Sequence, residues 1–311
     1  MKKKRFKILI TGGNGMIGRA CVKLMKKKYK VLSPSKKELN LKNMSKLINY
    51  FKKNKPDFVI NAAAKVGGIV SNMGDQVNFV KENIPIQANI FEACRIFKVK
   101  KFVFIGSTCI YPKKPKLPIK ENSLLEGQLE PSNEGYALTK ILGLKLAKFY
   151  FKEYGLRTVC PMPCNVYGTN DSFDFQKSHV LSALVKKIVD AKDSNKKKLK
   201  MLGSGKAIRE FMHVDDAARG LLFFIERINT YEHVNLGTGE FISIKELANK
   251  ICKFVNFDGK LIWQKKSKFD GMPAKYTDIS KLRKLGFKTN ITLDEGIKRT
   301  IKEYRELKSQ T

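Results

Sequence analysis

Long apolar stretches are missing from this chain. The longest runs, 221–225 and 102–105, fall far short of the ~18 residues that a membrane-spanning helix needs. The basic start Met1-Lys-Lys-Lys-Arg-Phe-Lys is followed only by Ile8, Leu9 and Ile10 before Thr11. That apolar core is too short for a secretory leader, so a cytoplasmic location is expected. Cysteine pairs at metal-binding or redox spacing are also absent. Cys21, Cys94, Cys109, Cys160, Cys164 and Cys252 contain no C-x-x-C, which leaves neither a disulfide framework nor a zinc site to expect. Acidic residues are scarce, 28 against 62 basic, for a net charge of +34. Arginine is scarce as well, so lysine carries most of that charge. Nucleic-acid binders rely on arginine forks and gather their charge on one face. Here the lysines are scattered (Lys2 to Lys4, Lys26 to Lys28, Lys113, Lys114, Lys196 to Lys198, Lys265, Lys266). The expectation is a solvated basic surface whose field attracts an anionic ligand, without nucleic-acid or membrane partners. The competing reading, a basic nucleic-acid binder on a dinucleotide-binding scaffold, predicts steeply salt-dependent binding to random DNA or RNA.

What is present is an ordinary globular composition, 42% hydrophobic and 29% charged. Short apolar runs alternate with helical periodicity: strands over 6–10, 29–32, 57–60, 101–105 and 157–161, and helices over 16–28, 44–53, 83–97 and 135–154. This rhythm predicts an α/β fold, a Rossmann-type doubly wound parallel sheet. Beyond Gly168 the rhythm changes, with a helix over 179–190 and a lysine-rich loop over 192–200. Ser243 with Glu246 and Thr292 with Glu295 read as capping boxes of later helices. The expected division is a nucleotide-binding domain, 1–168 with 208–238, and a smaller C-terminal α/β substrate domain, 169–207 with 239–311.

Between the first strand and first helix stands Thr11-Gly-Gly-Asn-Gly-Met-Ile-Gly18. Gly12, Gly15 and Gly18 allow a tight turn, close approach of a pyrophosphate and close helix–strand packing. The following helix N-terminus offers free N–H groups and a positive dipole. At the end of strand two, an acidic residue would select NAD; the chain has Leu32-Ser-Pro-Ser-Lys-Lys37, with no carboxylate before Glu38. NADPH is therefore expected, with Ser35 and Lys36 as contacts.

Tyr136 and Lys140 lie one turn apart on a helical face, where an ammonium lowers the phenol's pKa. Tyr304 and Lys308 repeat the spacing in the C-terminal tail and are read as coincidental. Strand four ends in Gly106-Ser-Thr-Cys-Ile-Tyr-Pro112, at the edge where such sheets bind ligands, so Ser107 can share a substrate oxygen with Tyr136. Glycine loop, Ser107, Tyr136 and Lys140 together resemble the extended short-chain dehydrogenase/reductase superfamily of nucleotide-sugar enzymes. Asn61-Ala-Ala-Ala64, Arg209-Glu-Phe-Met-His-Val-Asp-Asp216 and Asn235-Leu-Gly-Thr-Gly239 look like its later signatures. The stretch Thr108-Cys109-Ile110 lacks the Asp-Glu pair of that superfamily's 4,6-dehydratases. A simple C4-epimerase leaves Cys109 unexplained.

Ala64-Lys-Val-Gly-Gly68, Ser107-Thr-Cys-Ile-Tyr-Pro112, Leu124-Leu-Glu-Gly127, Glu130-Pro-Ser-Asn-Glu134, Pro163-Cys-Asn-Val-Tyr-Gly168 and Ser178-His-Val-Leu-Ser-Ala-Leu184 resemble the GDP-L-fucose synthase family, 3,5-epimerase/4-reductases of GDP-4-keto-6-deoxy-mannose. The resemblance implies reduction by Ser107, Tyr136 and Lys140, with Cys109 and His179 as epimerisation base and acid. It implies NADP(H) contacts at Gly12, Asn14, Gly15, Met16, Ile17, Gly18, Ser35, Lys36, Asn61, Ala63, Lys140, Pro163 and Asn165. It places the GDP-sugar against Asn165, Val180, Lys187, Leu202, Arg209 and Asp278, and suggests a homodimer formed through helices 83–97 and 135–154. His213 and His233 read as structural. The chain departs from the family at Gly135 (commonly proline), Leu202 (tryptophan) and Lys187 (arginine). A related GDP-4-keto sugar such as a heptose, reduced at C4 with little or no epimerisation, is the alternative substrate and activity.

Overall fold

Ile8, Leu9 and Ile10 have no solvent exposure because strand β1 (Lys7–Thr11) runs through the middle of a six-stranded parallel sheet. The computed structural model describes residues 5–67, 74–174, 178–265 and 270–310; the predicted signature residue Gly68, and Lys2 to Lys4 and Lys266, lie outside them. The chain proceeds through α1 (Met16–Met25), β2 (Lys30–Leu32), α2 (Met44–Asn54), β3 (Phe58–Asn61), α3 (Gln76–Ile96), β4 (Lys101–Phe104), α4 (Glu134–Tyr154) and β5 (Thr158–Pro163). After β6 (Asn165–Tyr167) come α5 (Val180–Asp193), β7 (Lys198–Lys200), β8 (Ile208–His213), α6 (Val214–Arg227) and β9 (His233–Leu236). The remainder is β10 (Phe241–Ser243), α7 (Ile244–Val255), β11 (Lys260–Ile262), β12 (Ala274–Lys275), α8 (Ser280–Lys284) and α9 (Leu293–Ser309).

The large sheet has the order β2-β1-β3-β4-β5-β9. Cys21, Met25, Leu221 and Phe224 from α1 and α6 cover one face, and Leu47, Phe51, Ile90, Phe91 and Leu144 from α2, α3 and α4 cover the other. After β2 the chain crosses to the far side of β1, so a crevice opens at the carboxyl ends of β1 and β3. The expected doubly wound sheet is thus present. Helix α3 starts at Gln76, seven residues before the expected Asn83, and continues through Pro85. Proline reads as a helix boundary because it removes a backbone donor; here burial of Phe79, Asn83, Gln87 and Ile90 along the helix outweighs that one lost bond.

A second core gathers Leu184, Val185 and Ile188 of α5, Leu247 and Ile251 of α7, and Ile297 and Ile301 of α9. Strand β8 belongs to both cores: Phe211 packs into the second and Met212 into the first. Ile279, Leu282 and Phe287, from the stretch expected in the C-terminal domain, pack into the first core. Of the two capping boxes, only Ser243 with Glu246 is reciprocal. Thr292 caps α9, but the Glu295 carboxylate turns to Arg299 instead.

Glu210 of β8 has no solvent exposure. Its carboxylate accepts the Thr238 and Gly239 amides at 2.7 and 2.9 Å. It also accepts the Thr277 amide at 2.9 Å and the Thr277 hydroxyl at 2.7 Å. A side chain at position 237 would collide with that carboxylate, which accounts for the glycine in Asn235-Leu-Gly-Thr-Gly239. The other polar members of the Arg209–Asp216 signature have local duties too. His213 Nδ1 accepts the Asp215 amide at the start of α6, and buried Asp216 accepts the Asn290 and Ile291 amides, both at 2.8 Å. Glu210→Gln would set an amide N–H₂ against surrounding donors. Urea unfolding should show a loss on the order of 3 kcal/mol, because a buried acceptor is withdrawn from its donors; an unchanged midpoint would refute this account.

Candidate active site

Gly12 adopts φ +68°, and a Cβ there would come within 2.6 Å of the Ala62–Ala63 peptide. The loop after β1 and the loop after β3 can therefore touch only through glycine. The Gly15 amide closes the turn on the Gly12 carbonyl at 3.0 Å. Helix α1 starts at Met16 and Ile17, with no side-chain cap and no acidic residue in its first turn. Its N–H groups and dipole face the crevice unneutralised, which suits an anionic diphosphate. Asn61 Oδ1 accepts the Thr11 hydroxyl at 2.7 Å and the Ala63 amide at 3.3 Å, clamping the two loops together. Arg19 Nε holds the Asn14 carbonyl at 2.9 Å.

At the end of β2 the two expected contacts lie as follows. Ser35 is occupied locally: its amide donates to the Glu38 carboxylate at 2.7 Å, and its hydroxyl accepts the Glu38 amide at 3.3 Å. Glu38, three residues on in sequence, thus lies beside Ser35. Lys36 is exposed. Ser33, not singled out by the motif, lies against Gly13 of the phosphate loop.

Strand β4 delivers Ser107 to the same edge. The Ser107 hydroxyl accepts the Cys109 amide at 3.3 Å, because 108–110 turn into a short 3₁₀ helix. Helix α4 brings Tyr136 and Lys140 alongside. Lys140 Nζ donates to the Ile105 carbonyl at 2.7 Å and stands 5.6 Å from the Tyr136 ring centre. Phe79 of α3 packs edge-on against Tyr136 at 5.8 Å. Ser107, Cys109, Tyr136 and Lys140 thus form one cluster. The expected lowering of the Tyr136 pKa is not what this packing produces. Burial, and then the neighbouring Cys109, push the phenol well above its usual range. Burial also lifts the Cys109 thiol, against the hydrogen bond from Ser107 and the charges of Lys275 and Lys140. Burial thus favours the protonated form of both groups.

His179 stands just before α5, with its Nδ1 3.2 Å from Asp171. Val180 opens α5 and Lys187 lies two turns along it, its pKa lowered by burial. Arg209 Nη2 donates to the Asp270 carbonyl at 3.0 Å, and the Asp270 carboxylate accepts the Ser204 amide at 2.7 Å. Leu202, 40% exposed, lies in that same turn. Asn165 Nδ2 ties β6 to the Glu210 carbonyl at 2.8 Å, and Pro163 is buried in β5. Asp278 is not brought to Arg209: its carboxylate accepts the Ser280 amide at 2.7 Å and its carbonyl the Asn235 amide at 3.1 Å. Asp270 occupies the place beside Arg209.

Sequence reasoning also passed over Lys275, paired with Arg209 in the β8–β12 register and acting on Cys109. No sequence signal separates it from the chain's many other lysines. The tail pair is structural, since Tyr304 donates to Asp190 at 2.7 Å and Lys308 pairs with Asp193. His233 faces the Glu121 carbonyl at 3.0 Å and burial drops its pKa to about 4. Of the remaining cysteines, Cys21, Cys94, Cys160 and Cys164 are buried and Cys252 is half-buried. Among the described residues there is no cluster of metal ligands, and no helix long and apolar enough to cross a membrane.

Burial holds the Lys140 pKa down to about 8, against the usual 10.5 of a free lysine, with Cys109 opposing. Between those values the unfolded chain binds the extra proton, so wild-type stability gains as pH rises through this window. Lys140→Met should remove that gain and raise the melting temperature at neutral pH by a few degrees (~1 kcal/mol). Melting curves at both ends of the window check this; a lower melting temperature at neutral pH would contradict it.

Comparison with known proteins agrees with this geometry. Residues 8–237 match the family model "NAD dependent epimerase/dehydratase family". The chain is 40% identical over 308 residues to a putative GDP-L-fucose synthase 2 of Arabidopsis thaliana, covering 98% of this chain and 94% of that one. It is 38% identical to the GDP-L-fucose synthase of Escherichia coli K12, covering 98% of each. Among solved structures, a GDP-mannoheptose C4 reductase from Campylobacter jejuni with NADP bound superposes with a TM-score of 0.89 at 32% identity, covering 97% of this chain and 98% of that one.

Proposed function

The chain belongs to the NAD dependent epimerase/dehydratase family, within it to the GDP-L-fucose synthase group, and from that membership we propose that it converts a GDP-4-keto-6-deoxy-hexose by C3/C5 epimerisation and C4 reduction, using NADPH. The observation that carries this reading is Cys109, hydrogen-bonded to Ser107 and beside Tyr136 and Lys140. A plain ketoreductase needs no thiol at that point.

The uncapped α1 N-terminus, the Gly12 turn and the Asn61 clamp suit a dinucleotide diphosphate, and Lys36 supplies a cation near the expected 2′-phosphate. NADPH, when bound, supplies hydride for C4. Every other step falls to the chain. Ser107 and Tyr136 donate hydrogen bonds to the C4 oxygen, which acidifies the C–H bonds at C3 and C5. Cys109, once its own thiol proton has passed to solvent, removes such a proton as thiolate; the C–H electron pair becomes an enolate held by the same two hydroxyls, and the thiol re-forms. His179 returns a proton to the opposite face of the ring. Tyr136 finally gives its proton to the C4 oxygen, and its high pKa keeps that proton available at neutral pH. Lys140 holds Tyr136 in place and Arg209 grips the diphosphate.

Leu202 and Lys187, where the family has an aromatic shelf and a guanidinium fork, favour a second reading: C4 reduction of a GDP-4-keto-heptose. The test is incubation with NADPH and GDP-4-keto-6-deoxy-mannose in heavy water. Oxidation of NADPH with deuterium at C3 and C5 is expected, and Cys109→Ser should slow deuterium incorporation by about 100-fold or more. Oxidation without deuterium would leave only a C4-reductase. No oxidation here, but oxidation with the heptose analogue, would establish the second reading.

Helices α3 and α4 lie side by side and expose Ile96, Leu138 and Phe149 at 43%, 50% and 48%. These apolar side chains suit a second copy of the chain. Sedimentation should give a dimer, and Phe149→Asp should shift it toward monomer; a wild-type monomer would end the proposal.

A further inference from the structure

Asp171 buries a carboxylate in the loop between β6 and α5, its side chain only 4% exposed. Such a charge is costly unless each oxygen finds donors. Here Oδ1 accepts the Ser172 amide at 2.8 Å and meets His179 Nδ1 at 3.2 Å, while Oδ2 accepts the Ser182 hydroxyl from the first turn of α5. The loop around it is fixed: the Asp171 amide donates to the Gly168 carbonyl at 3.0 Å, and the Asn170 amide to Glu303 of α9 at 2.7 Å. His179 occupies the N-cap position of α5 yet makes no cap bond; its ring turns back to Asp171. With that side chain 39% exposed, Nδ1 is engaged by the carboxylate and Nε2 has no protein partner among the described residues.

We propose that Asp171 is the positioning residue for the proton-return step: it keeps a proton on His179 Nδ1, makes Nε2 the nitrogen that exchanges protons, and favours the imidazolium. This rests on His179 as the epimerisation acid. In the step, the Nε2–H bond breaks and a C–H bond forms at the ring carbon of the enolate. The C4 carbonyl re-forms, and His179 is left neutral with its proton on Nδ1. The carboxylate stabilises the cation before transfer without taking the proton, as in other histidine–carboxylate pairs.

The electrostatic surroundings agree. Burial opposes the imidazolium, but the hydrogen bond and charge of Asp171 outweigh it and leave the ring above its usual value. Helix α5 contributes the neutral Ser182 hydroxyl. Glu303 of α9 faces Asp171 from the other side, its own pKa raised chiefly by burial. Among the described residues, Asp171 is the charged group that acts on the ring.

The test is ¹⁵N-histidine NMR of the full chain, with the His179 signals assigned through His179→Gln. The wild type should show the Nδ1–H tautomer when neutral and a midpoint above ~6.5. Asp171→Asn keeps an acceptor and removes the charge, so the midpoint should fall by about one pH unit. In heavy water the alkaline limb of C3/C5 exchange should move down by the same amount. Exchange at pH 7 should slow on the order of tenfold with KM little changed. An Nε2–H tautomer in the wild type, or equal midpoints in both proteins, would overturn the inference and reduce Asp171 to a loop staple. Should the variant not fold, the wild-type tautomer and midpoint decide alone. A wild type that shows the pairing by NMR but exchanges no deuterium would remove the epimerase reading and the proton-return role with it, leaving only the Asp171–His179 pair.

Discussion

A single carboxylate joins what the chain places far apart. Glu210 draws the 238–239 turn and Thr277 onto β8, and β8 contributes side chains to both hydrophobic cores. Arg209, next along the strand, pairs in register with Lys275 on one side and Ile242 on the other. Arg209 and Lys275 are therefore set by the same buried side chain that ties the 238–239 turn and Thr277 to β8. An unpaired carboxylate in this position would be intolerable, and a fully paired one has a single low-energy arrangement. Asn235 adds a second tie: its side chain donates to the Ile119 and Asp278 carbonyls and accepts from Tyr111.

Much of this was legible in the residues. Period and strand–loop–helix context placed the sheet and the phosphate loop, because backbone geometry dictates which residue types such turns accept; Ser107, Cys109, Tyr136 and Lys140 were joined through their resemblance to a family's motifs. Three kinds of feature were not legible. Helix α3 ran through Pro85 because tertiary burial decided against a local rule. The tyrosine's acidity depended on how dry its pocket is, which spacing does not report. Asp270, Lys275 and Asp171 act through tertiary proximity, and in a chain so rich in lysine nothing local distinguishes Lys275. The Asp278 carboxylate accepts the Ser280 amide in the turn before α8, a bond the sequence did not announce.

The site is dry and slightly hostile to its own charges. Burial lifts the Cys109 thiol and the Tyr136 phenol and lowers Lys140 and Lys275. Burial thus favours the neutral form of each of these groups, and a thiol kept protonated is a weak nucleophile.

The strap around Glu210 also divides the sequence by how freely it can drift. Position 237 must lack a side chain for the carboxylate to lie where it does, and Thr277 supplies two of its donors. A change at any one of these positions strands the others, so their effects on stability are coupled rather than additive. Leu202, Lys187 and Val180 take no part in the strap, so a substitution at any of them leaves the bonds around Glu210 intact.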